Sequence, residues 1–175
     1  MLIYPALSSR ASPLPFTGLK RKLPPLRRIS QKRASVPVRH WSMRTLYDHN
    51  RSLWCGWVVR SQTLNFWFSG DSGFFENLTQ IRRRLSPFNL AALPISAYAS
   101  KWFMQSSHMK PDHAVSLWRV MGQSLTLPVT GAWADESLDD ELPAELARAI
   151  ERSGEDKGQF PPWGIGESRT LANIT

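Results

Sequence analysis

The chain has 175 residues, of which 42% are hydrophobic, and its eight Trp and eight Phe provide enough apolar volume for one folded domain. Its net charge of +8 is concentrated at one end, because residues 1–50 hold ten Lys or Arg and a single acid, Asp48. The absence of a run of about 18 apolar residues argues against a membrane-spanning helix. The single cysteine, Cys55, excludes an internal disulfide and is expected to be a buried, unreactive thiol.

Residues 1–34 form a basic segment rich in Pro and Ser, which we expect to be a poorly ordered tail. Two alternatives remain open, a targeting peptide or a patch that binds anionic lipid or nucleic acid. Aromatic residues that would stack on bases are nearly absent after Phe16, so nucleic acid is not expected as a partner. The segment also lacks the pattern of a secretory signal, which favours a cytoplasmic or peripheral-membrane location over secretion.

From residue 35 onward the sequence predicts strands that alternate with helices. A short strand is expected at 35–41, and the β-branched and aromatic runs at 53–61 and 64–71 predict a hairpin. Apolar positions from Phe75 to Leu85 recur at helical spacing, and the arginines at 82–84 suit the C-terminal end of a helix. The apolar run at 89–96 is typical of a strand that is buried on both faces.

The remaining elements complete a layered α/β domain over residues 35–175. A second helix is predicted to begin at Pro111 and stop at Gly122, followed by a strand at 124–129 and a third helix at 143–152. A loop and a last short strand are expected at 163–171. In such a domain, sites are expected at the carboxyl ends of the strands.

The stretch FWFSGDSGFF at 66–75 places Asp71 directly after a predicted strand, between Gly70 and Gly73. We expect this carboxylate to be buried among aromatic side chains and therefore to have a partner. Its position alone leaves three roles open. Asp71 or Ser72 caps a helix that begins near Phe74, Asp71 binds a metal ion where the glycines let a ligand approach the backbone, or Asp71 acts as a base.

Four separated stretches in the same order point to a family: HWSMRTLYDHNRSLWCGWVV, FWFSGDSGFF, LAALPISAYASKWFM and GESRTL. Together they resemble the later half of the N-acyl-phosphatidylethanolamine-hydrolysing phospholipase D family, over roughly residues 35–172. This family is a branch of the metallo-β-lactamase-fold hydrolases, and its bacterial members include RomA-type proteins. The resemblance implies that the domain is the C-terminal half of an αββα sandwich.

The resemblance also implies a chemistry in which two zinc ions activate a water that attacks a phosphodiester phosphorus. It assigns His40 and Asp71 as metal ligands, with Asp71 bridging both ions. It assigns His108 a catalytic role close to the substrate phosphate, as a polar or acid group. The implied substrate is a phospholipid or another phosphodiester, whereas His49 and His113 are expected to be solvated side chains.

The chain departs from the family pattern at two places. The family's His-x-His-x-Asp-His cluster has no counterpart, because residues 1–39 contain no histidine, and no histidine follows the strand at 124–129 before Glu136. Catalytic zinc generally takes three protein ligands, so we expect a truncated or remnant hydrolase that binds metal weakly and is inactive as this chain alone. The alternative is a non-catalytic interaction module that self-associates, or pairs with another chain, through an exposed sheet.

Overall fold

The structure, a computed structural model, describes residues 31–95, 107–129, 141–164 and 167–168. Within these residues five strands form one sheet in sequence order: β1 Lys32–Val36, β2 Gly56–Arg60, β3 Asn65–Phe68, β4 Leu90–Pro94 and β5 Leu125–Val129. The helices are α1 Leu78–Leu85, α2 Pro111–Met121 and α3 Glu141–Ser153, and a short 3₁₀ turn spans Lys157–Gln159. The predicted α/β fold is therefore confirmed.

The sheet is mixed. Strand β2 pairs antiparallel with both β1 and β3, which confirms the predicted hairpin, whereas β3, β4 and β5 run parallel to one another. The two parallel connections contain α1 and α2, as a crossover between parallel strands requires. The carboxyl ends of β3, β4 and β5 consequently meet at one edge of the sheet.

Local signals in the sequence account for three of the elements, α1, α2 and β4. Both Leu78 and Ile81 of α1 are buried, and three arginines occupy its last turn. Helix α2 has Pro111 at its start and ends at Gly122, which adopts the left-handed conformation with φ of 101°. Every residue of β4 is buried, as its continuous apolar run indicates.

Two boundaries differ from the prediction. The first strand ends at Val36 rather than continuing to residue 41, and Pro37, which follows it, has no N–H to donate to a ladder. His40 therefore lies in a loop and not in a strand. The predicted tail up to residue 30 and most of the predicted last strand lie outside the described residues, and the division of the chain at residue 34 stays a prediction.

The helices share one hydrophobic core with one face of the sheet. Its fully buried members include Trp67 of β3, Leu93 of β4, Trp118 of α2 and Leu146 of α3. Because strand side chains alternate, the other set on β2 and β3 faces away from this core. On that opposite face Trp57 is 42% exposed and Phe68, its partner across the hairpin, is 39% exposed. None of the helices in the described part of the chain is long and apolar enough to cross a membrane.

Candidate metal centre

The loop that carries Asp71 begins at the shared edge of the parallel strands. The backbone N–H of Ser69 donates to the carbonyl of Ala92 at 3.1 Å and so extends the pairing of β3 with β4 by one residue. Gly70 then turns the chain sharply with φ of 65°, a conformation that favours glycine. The loop thus leaves the sheet at the place where a site is expected in this fold class.

Two hydrogen bonds fasten this loop to the segment that carries His40. The N–H of Arg39 donates to the hydroxyl of Ser72 at 3.1 Å, and the N–H of Gly73 donates to the carbonyl of Arg39 at 2.8 Å. Ser72 is fully buried, which shields these bonds from water. The residues next to His40 and Asp71 in sequence are therefore held together, although they are more than thirty positions apart.

The hydrogen bonding of His40 fixes which ring nitrogen carries the proton. Its Nδ1 lies 2.8 Å from the carbonyl oxygen of Trp41, and since a carbonyl only accepts, Nδ1 must donate. In the neutral ring this leaves Nε2 with a lone pair. Nε2 is buried and has no hydrogen-bond partner among the described residues. A histidine that donates from one nitrogen to a backbone carbonyl and presents the other is the usual form of a metal ligand.

His108 lies beside His40. Their ring centroids are 5.1 Å apart, and the rings meet edge to face at 89°. The structure thus brings together two side chains that the resemblance assigns to one site. The described residues contain no group of three His, Cys, Asp or Glu side chains arranged to hold a metal ion.

The expectation that Asp71 is buried is wrong, because the residue is exposed. The capping role considered for Asp71 or Ser72 is also wrong. Helix α1 begins at Leu78 and has Asn77 at its N-cap without a side-chain capping bond, so several residues separate it from Asp71. The hydroxyl of Ser72 instead donates to the carbonyl of Gly73 at 2.8 Å and supports the loop itself.

Sequence reasoning did not anticipate the aromatic surroundings of this region. The ring of Trp41 stacks on His40 at a centroid distance of 6.1 Å and on His49 at 5.9 Å. His113 is half-buried rather than solvated, with its ring 5.4 Å from that of Phe74. Burial lowers the pKa of His113, the positive charge of Lys110 adds to this, and Asp112 opposes it. The spacing of these residues along the chain carries no signal for either contact.

Cys55 lies close to the same edge, since its carbonyl oxygen would be 3.5 Å from a Cβ added at Gly70. The residue is half-buried, and burial raises the pKa of its thiol. A raised pKa keeps the sulfur protonated at neutral pH, and only a thiolate is a strong nucleophile or metal ligand. Its surroundings agree with the expected unreactive thiol.

Comparison with known proteins decides the family. A model described as "Beta-lactamase superfamily domain" matches residues 27–129, which is more than half of the chain. The chain therefore belongs to the beta-lactamase superfamily. The matched region contains β1 to β5, His40, Asp71 and His108, so the candidate centre lies inside the family domain.

The curated relatives of this chain include proteins of the groups named in the sequence resemblance. The chain is 44% identical over 87 residues to N-acyl-phosphatidylethanolamine-hydrolyzing phospholipase D 1 of Caenorhabditis elegans, covering 49% of this chain and 24% of that protein. It is 31% identical over 77 residues to outer membrane protein RomA of Klebsiella pneumoniae, covering 44% of this chain and 56% of that protein. The resemblance to this group of hydrolases is confirmed, while the chain spans only a part of each relative's length.

A solved structure supports the fold alone. Isothiocyanate hydrolase from Delia radicum gut bacteria superimposes with a TM-score of 0.50 at 13% identity, over 71% of this chain and 48% of that one. The sheet of this chain therefore has a structural counterpart in a hydrolase. The assignment of His40 and Asp71 as ligands, and of His108 as a catalytic residue, stays a prediction.

Proposed function

We propose that this chain contributes part of a zinc site for the hydrolysis of a phosphodiester, of the phospholipase D type, in which His40 and Asp71 are metal ligands. The observation that carries the proposal is the orientation of His40. Its Nδ1 donates to the carbonyl of Trp41, while its buried Nε2 has no hydrogen-bond partner among the described residues. A buried acceptor without a donor is costly, and a metal ion at Nε2 would remove that cost.

Each proposed residue has a distinct task. The ring of His40 is held in place by the carbonyl of Trp41 and by its stacking on the Trp41 ring. The exposed carboxylate of Asp71 supplies negative charge at the same edge of the sheet, on a loop fastened to Arg39. A bound zinc ion would polarise the phosphoryl oxygen and make a coordinated water more acidic.

His108 is proposed to act on the substrate rather than on the metal. Its ring meets that of His40 edge to face, with 5.1 Å between the centroids. From there it can donate a hydrogen bond to a phosphate oxygen, or hold a proton for the leaving group. The proposed substrate, a phospholipid or another phosphodiester, follows from the family resemblance and from the phospholipase D activity for which the Caenorhabditis elegans relative is named.

We further propose that catalysis needs metal ligands from outside these 175 residues. The chain has four histidines in total, and a His-x-His-x-Asp-His cluster is not among them. His40 and Asp71 fit one part of a metal shell, and a catalytic zinc site generally requires three protein ligands. As this chain alone, the protein is therefore proposed to be an inactive, truncated or remnant hydrolase.

Zinc titration of the purified chain tests the ligand assignment. We expect weak binding that His40→Ala reduces by at least about tenfold, since even partners of metal ligands contribute about 10–100-fold to affinity. His49→Ala is the matched control, because His49 also stacks on Trp41 but is not assigned as a ligand, and it should change affinity by less than about twofold. Equal zinc affinity in the wild type and His40→Ala would contradict the assignment.

A phosphodiesterase assay tests the proposed inactivity separately. With zinc in excess, the 175-residue chain should release no more product from a phosphodiester than buffer with zinc does. Turnover that requires both zinc and His40 would contradict the need for outside ligands, while it would support the role of His40 itself.

A second candidate function rests on a different observation. The exposed Trp57 and Phe68 lie opposite each other on the sheet face turned away from the core. Large exposed aromatic side chains on a sheet favour association with another protein surface. In this alternative the chain is a non-catalytic module that pairs with a second copy or with another chain through that face.

A further inference from the structure

The loop between β1 and β2 exposes large apolar side chains next to the candidate centre. We define residues 42–53 as the docking loop. In it Leu46 is 82% exposed, Tyr47 is 86% exposed and Leu53 is 74% exposed, and Met43 is 45% exposed. Such a cluster is unusual on a surface that contacts only water and marks a place for an apolar partner.

Hydrogen bonds within the docking loop fix this exposure. One carboxylate oxygen of Asp48 accepts from the N–H of Arg44 at 2.8 Å and from the N–H of Thr45 at 2.7 Å. These backbone hydrogen bonds, that of Thr45 foremost, lower the pKa of Asp48. At the base of the loop, the N–H of Asn50 donates to the carbonyl of Ser42 at 2.6 Å. Leu46 and Tyr47 at the tip are consequently held in solvent and are not buried by the loop's own folding.

The charges of the docking loop favour an anionic partner. Arg44 and Arg51 are exposed on it. Its only acid is Asp48, which is half-buried and uses a carboxylate oxygen for the loop backbone. Leucine at the tip, a tyrosine beside it and flanking arginines form the combination that binds the interface of an anionic bilayer. An apolar protein partner would not require the two arginines that flank the tip of the loop.

We propose that the docking loop inserts Leu46 and Tyr47 into the interface of an anionic lipid bilayer, with Arg44 and Arg51 against the lipid phosphates. Trp41, directly before the loop, stacks on both His40 and His49. Docking would therefore place the pair of His40 and His108 at the membrane surface and give the protein a peripheral-membrane location. The proposal concerns a surface distinct from the metal ligands and stands without any metal being bound.

Vesicle cosedimentation of the full chain tests this. The probes are vesicles of phosphatidylcholine alone and of phosphatidylcholine with phosphatidylserine, at moderate salt. The combined variant Leu46→Ser and Tyr47→Ser should bind mixed vesicles at least about tenfold more weakly, because each apolar side chain contributes roughly that factor when buried. Val120→Ser is the control, since Val120 is 41% exposed on α2, away from the loop.

Two double arginine variants distinguish binding by the docking loop from general electrostatic attraction to the vesicles. Arg44→Gln with Arg51→Gln should weaken binding to the mixed vesicles and leave binding to neutral vesicles unchanged. Arg83→Gln with Arg84→Gln removes the same charge from α1 and should weaken mixed-vesicle binding much less. All these variants retain the basic tail at residues 1–34, so any contribution of the tail is common to them.

Insertion is measured directly with a dye at the tip. In a Cys55→Ser background, Leu46→Cys labelled with an environment-sensitive fluorophore should shift to the blue on mixed vesicles, whereas Val120→Cys should not. Wild-type binding that survives the loop substitutions, or a tip dye that does not shift, would overturn the proposal. Loss of self-association without a change in vesicle binding would overturn it in favour of a protein partner.

Discussion

The two histidines His40 and His113 lie in different surroundings, which suit them to different roles. The ring of His40 is anchored by the carbonyl of Trp41, so that its other nitrogen is available to a metal ion. The ring of His113 packs on Phe74, where burial opposes its charged form and lowers its pKa. His40 is thus arranged to bind a metal cation, whereas the surroundings of His113 oppose protonation of its ring.

The lowered pKa of His113 predicts a pH dependence of stability. Because the unfolded chain binds the proton more readily, the free energy of unfolding should decrease as the pH falls below about 6.5. In His113→Phe, which keeps the ring contact with Phe74, the decrease should be smaller. Urea unfolding from about pH 7.5 to pH 5 measures it, with His49→Phe as the exposed control. Parallel curves for the wild type and His113→Phe would contradict the prediction.

Strands and helices with strong local signals could be predicted from the sequence, while the candidate site could only be predicted in part. Pro111 and Gly122 mark the ends of α2, and the unbroken apolar run marks β4, because these signals lie in adjacent residues. The exposure of Asp71 depends on how the loop is fastened to Arg39, which no local pattern encodes. The proximity of His40 and His108 likewise depends on tertiary packing.

The hairpin of β2 and β3 shapes this edge of the sheet and depends on one glycine. A Cβ added at Gly56 would lie 2.8 Å from the carbonyl oxygens of both Phe68 and Ser69. Gly56→Ala should therefore push β2 away from the end of β3 and lower the free energy of unfolding by about 1–3 kcal/mol. Gly164→Ala is the control, because its Cβ would meet only an ordinary contact at 3.7 Å. Equal stability of the two variants in urea would contradict this account.

In the described part of the chain, the helices cover one face of the sheet, and the opposite face is partly exposed at β2 and β3, a surface that we call the open face. The helices bury one face, while Trp57 and Phe68 remain partly exposed on the other. A sheet with both faces apolar is expected to be stable only when both are covered. The proposed pairing through the open face therefore predicts that the chain self-associates in solution.

Sedimentation measurements over a range of protein concentrations test the open face. The wild type should form dimers or larger species as concentration rises, and Trp57→Ser with Phe68→Ser should weaken this by at least about tenfold. The variant Leu46→Ser with Tyr47→Ser removes two exposed apolar side chains outside the sheet and should associate as the wild type does. If both double variants behaved alike, the open face would not be the contact.

The proposed metal centre depends on a His40 ring that keeps its proton on Nδ1 and presents Nε2 to a metal ion. Nitrogen NMR of the ¹⁵N-histidine-labelled chain measures this directly, with His40→Ala identifying the signals. We predict that the neutral ring carries its proton on Nδ1 and none on Nε2, and that Nε2 couples to ¹¹³Cd when that ion replaces zinc. A proton on Nε2 that persists when excess metal is added would show that His40 does not bind metal through this nitrogen.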